Sequence, residues 1–91
     1  MNYRFRTAKS FHRALAKLNH QQKQSAKAAF LIFKENPFDP RLRTHKIHKL
    51  SALHGKTIYS ACIEADLRAV FYLEGTTVWS VDIGTHAIYR G

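Results

Sequence analysis

The stretch TIYSACIEADLRAVFYLEGTTVWSVDI, residues 57–83, decides the fold. It contains three runs rich in β-branched and aromatic residues, at 57–63, 67–73 and 77–83. The breaks between them, EAD and EGT, are short enough for hairpins. The stretch therefore predicts three consecutive antiparallel strands.

Alternation along these strands separates the sheet into two faces. In the middle strand, Leu67 and Phe71 share one face, and Arg68 and Tyr72 share the other. In the last strand, alternation divides six residues between the two faces. Those on one face are Trp79, Val81 and Ile83, and those on the other are Val78, Ser80 and Asp82. We expect one face to pack on helices while the other stays partly open. Arg68 on the second face either holds an anion or pairs with one of two acids, Asp66 and Asp82.

The residues before this stretch predict one strand and two helices. Residues 2–6 alternate in polarity and predict a short strand. Thr7 or Ser10 is a candidate helix cap. The apolar stripe of the first helix follows: Phe11, Leu15 and Leu18. Asn19 is a candidate cap for a second helix that ends near Glu35, because the residue before Pro37 is pushed out of the α region. The expected fold is α+β, with an N-terminal strand and a helical hairpin on an antiparallel sheet of about four strands, and a short C-terminal turn. Residues 1–91 are expected to form a single domain.

Residues 36–56 read as a long loop with a basic centre, RLRTHKIHK, at 41–49. Its cations are predicted phosphate contacts: Arg41, Arg43, Lys46, His48 and Lys49. His45 is a candidate proton donor or acceptor. No nearby Asp, Glu or Cys joins His45 and His48 in a metal set, so no metal and no cofactor is expected.

The charge points to a polyanionic partner. Fifteen Lys and Arg face six acids, a net charge of +9, and residues 1–34 and 40–63 contain no acid. Nucleic acid is the commonest partner of such a surface, although a merely soluble basic protein is the alternative. Helix cations at a spacing of four form a further predicted phosphate surface, or a solvated face: Lys9, Arg13 and Lys17 in the first helix, Lys23 and Lys27 in the second.

Several classes of protein are disfavoured. The single cysteine, Cys62, excludes an intramolecular disulfide and suits a reducing compartment, where we interpret it as a small buried residue. The sequence has no apolar run of the length a bilayer needs, and its first residues do not resemble a signal peptide. A cytoplasmic protein without a membrane partner is expected.

The tail DIGTHAIYRG, residues 82–91, carries the remaining chemistry. Gly84 can release the last strand into a turn that brings His86, Tyr89 and Arg90 beside Arg68. Imidazole, phenol and guanidinium groups around one anion suit metal-free RNA cleavage, which needs a base, an acid and cations for the phosphorane charge. Paired carboxylates, a Gly-rich phosphate loop and a Ser-His-Asp arrangement are not apparent.

The segments ENPFDPRLRTHKIHKL, YSACIEADLRAVFYLEG and VDIGTHAIYR, in this order, resemble the RelE/ParE superfamily of type II toxin–antitoxin toxins, and within it the RelE/YafQ-type mRNA interferases. The resemblance implies an acidic antitoxin partner and ribosome-dependent mRNA cleavage by an endoribonuclease without metal. It implies that Arg68 stabilises the transition state and that His86 replaces a catalytic arginine. It also implies a loop histidine at His45 and a terminal aromatic, Tyr89, that stacks on or deprotonates the substrate.

Two alternatives remain open within this resemblance. A ParE-like toxin would inhibit DNA gyrase and cut no RNA. A degenerate member would bind an antitoxin or RNA without cutting, which is suggested by Ser60 and Cys62 at positions where RelE carries lysines.

Overall fold

The computed structural model describes residues 2–85, which form a layer of helices on one mixed sheet. The strands are β1 Arg4–Thr7, β2 His45–Lys46, β3 Ile58–Glu64, β4 Leu67–Glu74 and β5 Thr77–Gly84. The helices are α1 Lys9–Ala16, α2 His20–Glu35 and α3 His48–His54, with a 3₁₀ turn at Pro40–Leu42. The α+β class is confirmed.

The sheet has five strands in the order β1-β5-β4-β3-β2, where about four were expected. The pairs β2–β3, β3–β4 and β4–β5 are antiparallel, whereas β1 runs parallel to β5. The expectation of a purely antiparallel sheet is therefore wrong at one edge. The first strand does join the sheet, at residues 4–7 and not 2–6, and Phe5 lies opposite Val78.

Local sequence signals explain α2. The Asn19 side chain accepts from the backbone N–H of Gln22, and the Gln22 side chain accepts from the backbone N–H of Asn19. This reciprocal capping box fixes the helix start. At the other end, Asn36 is extended before the buried Pro37, as predicted.

The start of α1 differs from expectation. Its N-cap is Ala8, which makes no side-chain cap. The Thr7 hydroxyl is 2.7 Å from Nε2 of His12, and the Ser10 hydroxyl donates to the carbonyl of Val81 at 2.6 Å. Both candidate cap residues are thus used elsewhere, and Ser10 ties α1 to β5. The helix ends at Ala16, before Leu18, which still packs on the core.

A β-bulge corrects the expected faces of β5. Val70 lies opposite Asp82 while Phe71 lies opposite Ser80, so Val81 is an extra residue. The bulge places Ile83 on the helix side with Val78 and Ser80, and all three are buried.

The predicted long loop, residues 36–56, contains structure of its own. The 3₁₀ turn, β2 and α3 all lie within it. Asp39 caps the 3₁₀ turn, Pro40 is its first residue, and the hydroxyl of buried Ser51 accepts from the backbone N–H of Ile58 at 2.8 Å. These local bonds replace the irregular backbone that the lack of a clear period had suggested.

The core lies between the helices and the sheet. Phe33 of α2 packs edge-on against Phe71 of β4 with 4.9 Å between ring centroids, and Phe71 is fully buried. Phe11 of α1 packs with Ala26, Leu67 and Ile83 in an adjoining cluster. Truncating a buried Phe to Ala typically costs ~3–5 kcal/mol, so these rings hold the sheet in place.

Candidate functional site

Arg68 lies at the end of the sheet where β5 leaves it. In the ladders, Arg68 is opposite Cys62 of β3 and Gly84 of β5. Its side chain lies on the face away from α2, because its neighbour Leu67 is buried in the core beside Phe11. We call this face the open face because α1 and α2 do not cover it, although three of its residues are buried: Ile58, Ser60 and Val70. The prediction that the tail starts beside Arg68 is borne out as far as Gly84.

Backbone oxygens hold the guanidinium of Arg68. Its Nη1 donates to the carbonyls of Ala65 at 2.6 Å and Leu67 at 3.3 Å. Ala65 has φ 38°, a left-handed conformation that costs a non-glycine residue energy. Within residues 2–85, the Arg68 guanidinium forms no ion pair with Asp66 or Asp82. Both contacts are made by Nη1, which is one of three guanidinium nitrogens that together carry five N–H donors.

His45 shares the open face. It lies opposite Ser60, which lies opposite Val70, two residues along β4 from Arg68. Strand spacing places the Cα atoms of His45 and Arg68 ~12 Å apart, within the combined reach of two long side chains. Nδ1 of His45 is 3.0 Å from the carbonyl of Arg43. A carbonyl only accepts, so Nδ1 carries the hydrogen and Nε2 is left able to take a proton.

Arg41 is committed to an ion pair. Its Nε and Nη2 each lie 3.0 Å from a carboxylate oxygen of Asp39, and its backbone N–H also donates to Asp39. These bonds lower the pKa of Asp39 to about 2 and raise the pKa of Arg41. Within residues 2–85 this is the one ion pair, and it makes Arg41 a less available phosphate contact than its neighbours.

The other loop cations point to different places. Arg43 is exposed, with φ 48°, and presents its carbonyl to His45. Lys46 and His48 line a depression of about 500 Å³ beside α3 together with Lys56. Lys49 is exposed on α3. The predicted basic stretch is therefore divided among the 3₁₀ turn, β2 and α3.

The helix cations also separate into two groups. Arg13 and Lys17 line a groove of about 380 Å³ with Gly84, Thr85 and one acid, Asp82, next to the end of β5. Lys23 and Lys27 instead line a groove of about 570 Å³ between α1 and α2. Lys9 is exposed at the start of α1. The structure thus brings Arg13 and Lys17, but not Lys23 and Lys27, to the sheet end that holds Arg68.

Three predicted site residues lie outside the described residues: His86, Tyr89 and Arg90. The predicted C-terminal turn falls there as well. Their roles stay predictions.

One cation was missed by sequence reasoning. The Nζ atom of Lys56 lies 4.2 Å from the ring centroid of Tyr72. No motif marks Lys56, although the alternation of β4 does put Tyr72 on the open face. The contact arises because Lys56 follows the left-handed Gly55 that ends α3, and only the fold brings it over β4.

Across residues 2–85, no group of three His, Cys, Asp or Glu side chains is placed to hold a metal ion. In the same range no helix is both long and apolar enough to cross a membrane.

Comparison with solved structures gives full-length matches at low sequence identity. A chain of the archaeal RelE–RelB complex from Pyrococcus horikoshii OT3 is 16% identical over 93% of this chain and 96% of that one, with a TM-score of 0.69. YafQ from E. coli strain BL21(DE3) is 18% identical over 99% and 100%, with a TM-score of 0.74. A chain of the E. coli DinJ–YafQ toxin–antitoxin complex is 14% identical over the whole of both chains, with a TM-score of 0.75. No protein-family model and no curated protein matches the sequence. Over nearly its full length, the chain has the fold of the RelE- and YafQ-type toxins.

Proposed function

We propose that this protein is the toxin of a type II toxin–antitoxin system and cuts mRNA on the ribosome by attack of a ribose 2′-hydroxyl. The observation that carries the proposal is the placement of Arg68 opposite Gly84, with His45 on the same face. The shared fold and the net charge of +9 support it. Arg13 and Lys17 lie at the same end of the sheet on its helix side, where they can contact RNA beyond the phosphate held by Arg68.

In the proposed reaction, Nε2 of His45 takes the proton of the 2′-hydroxyl, and the 2′-oxygen forms a bond to phosphorus. The donors of Arg68 neutralise the charge that develops on the phosphorane oxygens. The bond from phosphorus to the 5′-oxygen breaks, and His86 donates a proton to that oxygen. The products are a 2′,3′-cyclic phosphate and a 5′-hydroxyl. Tyr89 would stack on the substrate, and Arg90 would contact its backbone.

The proposed phosphate contacts follow the division seen in the structure. Arg13 and Lys17 are the residues best placed to contact RNA phosphates at the end of β5. A second group of cations would contact phosphates of ribosomal RNA or mRNA farther from the scissile bond: Lys9, Arg43, Lys46, His48 and Lys49. Arg41 contributes less because Asp39 holds its guanidinium.

An acidic antitoxin segment is the proposed protein partner. Two of the matched structures are RelE–RelB and DinJ–YafQ complexes. In this chain, the groove between α1 and α2 has an apolar floor that includes Phe11, Leu15 and Phe30, and a rim that includes Lys23 and Lys27. An amphipathic acidic helix fits both features. Its affinity should fall with added salt, and Lys27→Glu should weaken it while leaving Arg68 untouched.

A translation extract programmed with one defined mRNA tests the nuclease. We expect cleavage that depends on the ribosome and yields 5′-hydroxyl ends. A single 2′-deoxy substitution at the mapped site should abolish cleavage there, because the nucleophile is removed. Cleavage that survives this substitution would contradict the proposed mechanism.

A second candidate is a family member that binds RNA or antitoxin without cutting. It is favoured by Ser60, which is 0% exposed and lies between His45 and Val70, and by Cys62 opposite Arg68. Neither side chain supplies the charge that the lysines of RelE would supply at those positions. Binding of the programmed ribosome with intact message in the same extract would favour this candidate.

A further inference from the structure

The aromatic residues of this protein fall into two groups that serve different faces of the sheet. Within residues 2–85, one network of ring contacts joins eight of them: Tyr3, Phe5, Phe11, Phe30, Phe33, Phe38, Tyr59 and Phe71. Neither Tyr72 nor Trp79 belongs to this network. Both lie on the open face and are half-buried.

Tyr72 and Trp79 are direct neighbours across β4 and β5. Cations flank the pair on both sides. Lys56 lies over the Tyr72 ring with 4.2 Å between Nζ and the centroid, and Arg6 of β1 lies opposite Trp79. We call Lys56, Tyr72, Trp79 and Arg6 the aromatic row. Directly opposite residues of neighbouring strands point to the same face, so Arg6 shares the face of Trp79.

The aromatic row has the composition that binds single-stranded nucleic acid. Unpaired bases stack on aromatic side chains whatever their sequence, and neighbouring Lys or Arg contact the backbone. The two acids nearest the row along β4 and β5 do not interrupt it. Glu74 is exposed at the hairpin, and Asp82 accepts from the backbone N–H of Ile83 at 2.9 Å. A core role does not account for two large rings left partly exposed beside two cations.

The row lies on the same face as the proposed cleavage site but apart from it. Tyr72 is four residues from Arg68 along β4, a separation of ~13 Å. Val70, which lies between them on this face, is 4% exposed, so an RNA strand held at Arg68 would cross a covered stretch before its bases reach Tyr72 and Trp79 a few nucleotides away. The aromatic row and the proposed cleavage site can therefore contact one RNA strand without sharing residues.

We propose that Tyr72 and Trp79 form a stacking platform for unpaired bases of the RNA substrate, and that Lys56 moves off the Tyr72 ring to join Arg6 on the flanking phosphates. This inference rests on the proposed function, because the strand is the message held at Arg68. The platform determines affinity and the position of the strand, and it takes no part in proton transfer. It selects single-stranded over duplex RNA, whose bases are already stacked on each other.

Trp79 is the only tryptophan, so its fluorescence reports on the platform directly. The probe is a short 2′-O-methyl oligoribonucleotide, which cannot be cleaved. We expect saturable quenching of the wild-type protein by the single strand and much weaker quenching by the same sequence in a duplex. No quenching at concentrations where the oligonucleotide binds would overturn the platform.

Substitutions test the energetics with a labelled oligonucleotide and fluorescence anisotropy. Trp79→Leu and Tyr72→Leu should each weaken binding about 5- to 150-fold, the range typical for one stacked base. Trp79→Phe should restore part of the affinity. Leu53→Ala is the matched control, because Leu53 is 72% exposed on α3 and outside the row. If the ring variants unfold, the double substitution Arg6→Met with Lys56→Met tests the row at two exposed positions. It should make the oligonucleotide affinity depend less on salt concentration.

The outcomes separate the platform from the nuclease. If wild type cleaves ribosome-bound message, Trp79→Leu should raise KM and leave kcat unchanged. Cleavage by both proteins with the same KM, together with equal oligonucleotide affinity, would overturn the platform and leave the nuclease standing. Weakened oligonucleotide binding by Trp79→Leu without any cleavage by wild type would support the platform while the nuclease proposal fails. Quenching by polyglutamate but not by RNA would assign the row to a protein partner and overturn the inference.

Discussion

Arg68 lies directly opposite Gly84 in the ladder between β4 and β5. The chain therefore leaves the sheet beside the strand that carries the guanidinium, and Arg13 and Lys17 of α1 line the groove at this exit. This end of the sheet thus carries Arg68 on the open face and two further cations, Arg13 and Lys17, on the helix side.

Arg68→Ala should lower the rate of mRNA cleavage ~10²- to 10³-fold, the usual cost of losing one donor to a developing oxyanion. The side chain also bonds the carbonyls of Ala65 and Leu67, so the substitution should lower stability as well. Cleavage rates in extract and thermal unfolding separate the two effects. Arg68→Lys should keep the charge and lose the forked geometry, giving an intermediate rate. Wild-type cleavage by a folded Arg68→Ala protein would contradict the assignment.

His45→Ala should lower the cleavage rate ~10²- to 10⁴-fold without weakening RNA binding, because a general base acts on the chemical step. His54→Ala, an exposed histidine at the end of α3, is the matched control and should cleave as wild type does. The measurement is a single-turnover rate on ribosome-bound message. A loss of binding with an unchanged single-turnover rate would make His45 a phosphate contact.

The hairpin turn at Ala65 offers a stability test independent of catalysis. Ala65 has φ 38°, where a side chain costs ~1–2 kcal/mol, and glycine loses ~0.5–1 kcal/mol of this gain through its greater freedom in the unfolded chain. Ala65→Gly should therefore raise the free energy of unfolding by up to ~1 kcal/mol. Urea denaturation measures it. Destabilisation would mean that the turn holds Ala65 without strain.

Stability should depend on pH through Asp39. The Arg41 side chain lowers its pKa from 3.8 to about 2 in the folded protein, so the pair stabilises the fold above the unfolded-state pKa. This contribution is lost as the pH falls toward 2. Asp39→Asn should lower the unfolding temperature at neutral pH, and the difference from wild type should shrink as the pH falls from 4 to 2. A difference independent of pH would show that the ion pair contributes nothing.

The sequence predicted the features that depend on neighbouring residues. Asn19 and Asn36-Pro37 mark the ends of α2, and the breaks at 64–66 and 74–76 mark two hairpins. The order of the hairpin strands also placed Gly84 beside Arg68. Each of these follows from local turn and capping chemistry or from the pairing of consecutive strands.

Features set by distant contacts were not predictable. The parallel pairing of β1 with β5 joins the two ends of the described chain, and the bulge at Val81 accompanies a bond from Ser10 of α1. The division of helix cations between two grooves depends on how α1 lies on β5, which no helical spacing encodes. Asp39 and Arg41 are two residues apart in the sequence, but only the 3₁₀ turn brings their side chains into a forked pair.

Mapping of mRNA 5′ ends after induced expression tests the central claim most directly, with wild type beside Arg68→Ala. Wild type should arrest growth and produce new 5′-hydroxyl ends inside translated reading frames, and Arg68→Ala should produce few of them at equal protein level. Intact transcripts alongside a DNA-damage response would contradict the claim and favour a toxin that acts on gyrase.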